Sequence, residues 1–262
     1  MRSVNRWLEG LITIACGMGL IVPASSAQQG QERTFASPQQ ASNALYVAVQ
    51  NGDQAQLAEI LGGKKEIVST DDQLNDQQER ESFVKKYQEM HRLMRRADGV
   101  MILCVGAENW PFPVPLVSNK GRWYFDADTG LKEILYRRVG ANEITAIETC
   151  HALIQEEKKG QDVSGFHMPE DQALLEYAHE LVSGGTEEHP FAGYYFHKLN
   201  EGGSEGVAYV AYPAQYRSSG VMTFVVTNEG KVYEKDLGVK TESAAKELKD
   251  WKPDKSWHAA EE

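Results

Sequence analysis

The densest run of residues able to do chemistry lies between positions 110 and 143. Trp110, Trp123, Asp126, Arg138 and Glu143 combine two indoles, two carboxylates and a guanidinium within 34 residues. Gathered around one cleft, such a set could stack on and ion-pair with a small organic molecule, as a binding protein or a hydrolase would. The same residues have simpler uses. Asp126 can cap the helix that follows it or pair with Arg138, and Trp123 with Phe125 can fill core.

Other chemistries leave little trace. A nucleophilic serine usually stands in a tight glycine-flanked turn, whereas Ser219-Gly220 reads as a loop that lets a strand begin. The seven histidines stand singly, at 91, 151, 167, 179, 189, 197 and 258, with no His-x-x-x-His or Cys-x-x-Cys spacing among them. The acidic pairs Glu156-Glu157 and Glu187-Glu188 lack the alternation of a calcium loop, and Gly202-Gly203-Ser204-Glu205-Gly206 joins strands without a lysine to meet phosphate. No metal and no cofactor is therefore expected, and the chain reads as leaning away from catalysis.

The elements that must position these residues suggest an α+β fold. Ser37-Pro38 opens a helix that ends at Asn51-Gly52, and Asp53 caps a short second one. Phe83, Tyr87, Met90, Leu93 and Met94 form an apolar stripe that predicts a helix over 75–96, closed by Asp98-Gly99. Strands are expected over 100–105, 114–117 and 122–125, with Asn119-Lys120-Gly121 as a hairpin turn. Two helices follow, 130–139 and 142–158, divided by Gly140. After a polar linker at 156–165 and a helix over 170–182, four strands at 193–199, 207–212, 221–227 and 231–235 predict a helix-backed antiparallel meander. The organisation is thus a leader over 28–34, a helix-rich α+β domain over 35–160, a helix-plus-meander domain over 166–248, and a tail over 249–262 in which Trp251 and Trp257 can tuck against the body.

The amino terminus reads as an export signal. Arg2 and Arg6 precede an apolar run from Leu8 to Val22, and Pro23 leads into Ala24-Ser25-Ser26-Ala27. Cleavage after Ala27 is expected. The apolar run after Glu9 is only about 13 residues, short of the roughly 20 that span a bilayer. Removing Arg2, Arg6 and Glu9 with the signal takes the formal charge from −11 to −12. So acidic a surface repels phosphate backbones and anionic headgroups, and nucleic acid is not an expected partner. Lys85, Lys86, Arg92, Arg95 and Arg96 read as a solvated helix face. Export also places Cys104 and Cys150 where a disulfide can persist, although both stand in apolar runs that suit buried free thiols equally well.

Several motifs resemble the bacterial family called domain of unknown function 2950. They are Phe35-Ala36-Ser37-Pro38-Gln39-Gln40-Ala41, Gly121-Arg122-Trp123-Tyr124-Phe125-Asp126 with Gly130, and Arg137-Arg138-Val139-Gly140-Ala141-Asn142-Glu143. Later come Gly193-Tyr194-Tyr195-Phe196, Ala211-Tyr212-Pro213-Ala214-Gln215-Tyr216 and Ser219-Gly220-Val221-Met222-Thr223-Phe224. The resemblance implies an exported protein without an assigned activity. The expectation is a soluble periplasmic or secreted binding or assembly module with an envelope protein as partner, offering its sheet edges for strand addition. The other reading is a small-molecule binder or hydrolase with its pocket at 110–143.

Overall fold

The computed structural model describes residues 33–64, 67, 73–158, 171–183, 189–201 and 207–260. The export signal, most of the leader and all but the start of the expected linker lie outside the described residues. Among those described, no helix is long and apolar enough to cross a membrane.

The first body starts as the sequence suggests. Helix α1 (Pro38–Gln50) has Ser37 as its cap, with Oγ accepting from Gln40 N, and α2 (Gln54–Ile60) is capped by Asp53 through Gln56 N. Ala41, Leu45 and Ala48 recur at helical spacing and all face inward. Helix α3 (Gln73–Glu89) is shorter than its apolar stripe predicts, because residues 91–95 form a strand. That strand, β1 (His91–Arg95), pairs antiparallel along its whole length with β2 (Met101–Val105). Asp98-Gly99 is their hairpin loop and not a helix stop: Arg96 N donates to Val100 O, and Gly99 takes φ 87°, where a side chain would be strained. Met94 accordingly stands exposed on the strand, and of the basic group only Lys85 and Lys86 are helical.

Strands β3 (Trp110–Pro111), β4 (Leu116–Asn119) and β5 (Arg122–Phe125) complete the first sheet, ordered β1-β2-β4-β5 with β3 on β2. The β4–β5 turn is Lys120-Gly121, both left-handed, as a two-residue hairpin turn requires. Leu103, Val105, Leu116 and Phe125 close the core against α1 and α2.

The two helices expected around Gly140 are one. Helix α4 (Ala127–Glu157) runs 31 residues, about 46 Å at 1.5 Å per residue. One glycine in a helix interior costs only about 1 kcal/mol, which the packing at both ends offsets. At its start, Gly130 passes so close to Val114 that a Cβ there would lie 2.7 Å from Cγ2. Further along, Ala146, Cys150, Leu153 and Ile154 belong to a second core, with Leu174 and Ala178 of α5 (Gln172–Val182). The chain therefore passes from one core to the other inside α4.

The second sheet holds the expected meander, β6 (Tyr194–Glu201), β7 (Val207–Pro213), β8 (Thr223–Val226) and β9 (Val232–Lys235), but has six strands. After the short helix α6 (Thr241–Glu247), β10 (Asp250–Trp251) lies parallel on β6, and β11 (His258–Ala259) lies antiparallel on β9. Two residues of each outer meander strand, Asn200 and Glu201 of β6 and Tyr233 and Glu234 of β9, thus pair with the chain's own C-terminal segment. Phe196, Tyr209 and Phe224 face α4 and α5. Val210 and Val225, on the opposite face, pack against Trp251, which meets the Trp257 ring at 5.0 Å.

His197 is half-buried on this second face. Its Nε2 lies 3.2 Å from Leu248 O, and its ring meets that of Tyr212 edge-on. Burial holds the imidazole below its ordinary 6.5, with Lys249 adding to the effect and the Leu248 carbonyl opposing it. On acidification the unfolded chain therefore takes up the proton first. Stability carried by neutral His197 is whole above about pH 6.5 and is lost as the pH falls through the lower folded value. Thermal midpoints measured across a pH series should fall on the acid side of that window, and His197→Gln should flatten the slope.

Candidate functional site

The five residues singled out between 110 and 143 are strung along the molecule. Asp126 is the N-cap of α4: its Oδ1 accepts from Thr129 N at 3.0 Å and its Oδ2 from Thr129 Oγ1 at 2.8 Å. Glu143 stands 17 residues further on, about 25 Å along the axis. Trp123 is half-buried in β5, and its backbone exchanges two hydrogen bonds with Phe35 (2.7 and 2.8 Å). Trp110 is on β3 at the surface, with the Arg137 guanidinium 5.4 Å from its ring centre. Arg137 also donates to Pro111 O (2.8 Å) and to Glu133 (2.8 Å), tying α4 to the first body. A groove of about 440 Å³ lies elsewhere, between the end of α1 and α3, lined by Val49, Asn51, Arg80, Val84 and Gln88 among others. Cys104 and Cys150 are both buried and free, one in β2 and one in the second core. Of the two alternatives open in sequence, the disulfide is therefore not the one formed. Desolvation pushes the Cys150 thiol far up, into the inert protonated form.

Arg138 and Glu143 do come together, with Asn142, around a loop of the second body. Glu143 Oε1 accepts from two successive backbone amides, Val221 N at 2.8 Å and Met222 N at 3.0 Å. Asn142 Nδ2 donates to Ser219 O at 2.8 Å, and Arg138 Nη2 to Ser218 O at 3.3 Å. Three side chains of one helix thus satisfy backbone groups that the loop before β8 cannot pair within a sheet. Under this clasp lies Tyr194, fully buried, whose hydroxyl donates to Met222 O at 3.0 Å and lies 3.5 Å from Glu143. Its single proton goes to the nearer carbonyl. Burial and the neighbouring carboxylate together drive the Tyr194 phenol far above its ordinary range, so it stays neutral.

Two glycines make the clasp possible. A Cβ on Gly220 would come within 2.6 Å of Cε2 of Tyr194, with the hydroxyl oxygen closer still. A Cβ on Gly193 would sit 2.8 Å from both Asn142 Nδ2 and Ser219 Cβ. The motifs Arg138…Glu143, Gly193-Tyr194 and Ser219-Gly220-Val221-Met222 are separate in sequence and form one interlocked unit in space. The sequence pattern of "Protein of unknown function (DUF2950)" matches residues 32–189 and 168–260. The chain belongs to the DUF2950 family. No curated protein and no solved structure matches it. The motifs that carry the DUF2950 resemblance include those that build the clasp. Tyr194, Gly193 and Gly220 were missed as site residues in sequence because nothing local marks them; only their juxtaposition with α4 does.

Beside the clasp, α4 also carries exposed apolar side chains. Tyr136 is 68% exposed and Ile144 61%, eight residues apart, which sets them about 12 Å apart along the axis and about 80° apart round it.

Proposed function

We propose that this DUF2950 protein is exported to the cell envelope and acts there as a non-catalytic binding or assembly module, presenting the open face of α4 to a protein partner. The observation that carries this reading is the division of roles along α4. Arg138, Asn142 and Glu143 spend their polar groups on the protein's own loop, whereas Tyr136 and Ile144 stand in solvent. A single exposed apolar residue is ordinary, but an aromatic and an aliphatic one about two turns apart on a helix pinned at both ends form a rigid, preorganised contact surface. Aromatic anchors of this kind are what protein interfaces concentrate.

A photo-crosslinking amino acid at position 136, expressed in intact cells, tests the partner surface. It should yield a discrete protein adduct, while the same group at Val239, which is 87% exposed on the second body, should not. No adduct at 136, or equal labelling at both, would sink the reading. Export rests on the Arg2 to Ala27 pattern and has its own check. Mass spectrometry of the protein from the periplasmic fraction should find Gln28 at the amino terminus; a chain retaining Met1 in the cytoplasm would contradict it.

A further inference from the structure

Along α4 runs a row at four-residue spacing: Lys132, Tyr136, Gly140, Ile144 and Glu148. Such a row is one of the ridges by which helices pack, and two of them interdigitate in the commonest class of helix crossing. This one is self-complementary about its centre. A twofold axis through Gly140 sets Tyr136 of one copy against Ile144 of the other, and Lys132 against Glu148, and repeats both pairs by symmetry. Gly140 at the crossing point has nothing within 4 Å of where a Cβ would stand, so a second backbone can approach closely. Lys132 and Glu148 make no hydrogen bond or ion pair with any described residue, so both charges remain for a partner.

The two bodies leave this row open because they grip α4 from different sides. Gly130 and Arg137 turn toward the first body, and Glu143, Ala146 and Cys150 toward the second. Since an i+4 row advances about 40° round the axis at each step, it winds diagonally between them.

We infer that the partner of the α4 face is a second copy of this chain, bound as an antiparallel α4–α4 pair with its dyad at Gly140. This rests on the reading of α4 as a presented surface and names its occupant. The core of the contact is apolar, Tyr136 on Ile144, and the opposite charges at its ends fix the antiparallel register, since a parallel pair would place Lys132 on Lys132 and Glu148 on Glu148. A contact of one helix face lies at the small end of specific interfaces, which puts self-association at about micromolar concentration.

The test is sedimentation of the exported full chain over a micromolar concentration series. The wild type should dimerise, and Tyr136→Lys should weaken association at least tenfold without moving the thermal midpoint of the subunit. Lys132→Glu and Glu148→Lys should each weaken it, and the double reversal should restore it. A dimer indifferent to Tyr136→Lys, or singles not rescued by the double, would overturn the inference. A monomer throughout, combined with a crosslink from position 136 to a different protein, would overturn self-association and leave the partner surface standing. A monomer with no crosslink would remove both.

Discussion

Gly220→Ala will lower the stability of this protein by about 3 kcal/mol, a fall in thermal midpoint of roughly 6–12 °C for a chain of this size. The residue carries no charge and lies in a loop, so its sensitivity comes from the side chain packed against it. The new methyl group would meet the Tyr194 ring, which cannot swing away. It is fully buried, its hydroxyl is bonded to Met222 O, and Phe224 packs against it with ring centres 6.1 Å apart. The neighbouring Ser218→Ala should stay within about 0.5 kcal/mol of wild type, because only the Ser218 carbonyl is used by the clasp. Differential scanning calorimetry of the two variants side by side checks the pair.

Glu143→Ala should cost about 2–3 kcal/mol. A carboxylate accepting from two backbone amides contributes more than a neutral acceptor, and its loss leaves Val221 N and Met222 N without a protein partner in a half-buried loop. Water can reach part of the vacated space, which keeps the cost below that of a fully buried charge pair. Glu143→Gln, which retains one carbonyl acceptor, should recover about half of the loss. Chemical denaturation of the three proteins at neutral pH gives the ranking. If Glu143 were instead a ligand group held in reserve, the alanine variant would be as stable as the wild type or more so.

Much of the fold was legible where a local rule decides the outcome. Ser37-Pro38 and Asp53 are helix starts whatever surrounds them, Asn119-Lys120-Gly121 marks a tight turn of which Lys120 and Gly121 form the two-residue loop, and the apolar run over 221–227 marks the strand found at Thr223–Val226. The failures share a cause. Leu93 and Met94 continue the apolar rhythm of α3, so nothing local separates a last helical turn from a strand; the five-pair ladder to β2 decides it. Gly140 looks like a break because its cost is local, while the two cores that hold α4 straight are remote from it. The two-residue strands β10 and β11 are too short to carry any periodicity and exist only because β6 and β9 offer unpaired edges.

The candidate site divides the same way. Asp126 as a helix cap follows from its place before Ala127, and the core role of Phe125 follows from alternation along β5. Arg138 and Glu143 stood out for their charge, and their charge is indeed used, but on Ser218, Val221 and Met222, which lie about 80 residues away. A contact at that separation has no local sign. Only the fold brings these segments together as a single unit.

Arg138, Asn142 and Glu143 of α4 clasp the protein's own loop before β8. Amide hydrogen exchange at Val221 and Met222 tests this clasp most directly. Both amides should exchange slowly in the wild type and speed up by at least tenfold in Glu143→Ala, while the buried strand amides of Val210 and Val225 stay protected. Rapid exchange at Val221 and Met222 in the wild type, with no change on substitution, would mean that the carboxylate is free, and would contradict the account.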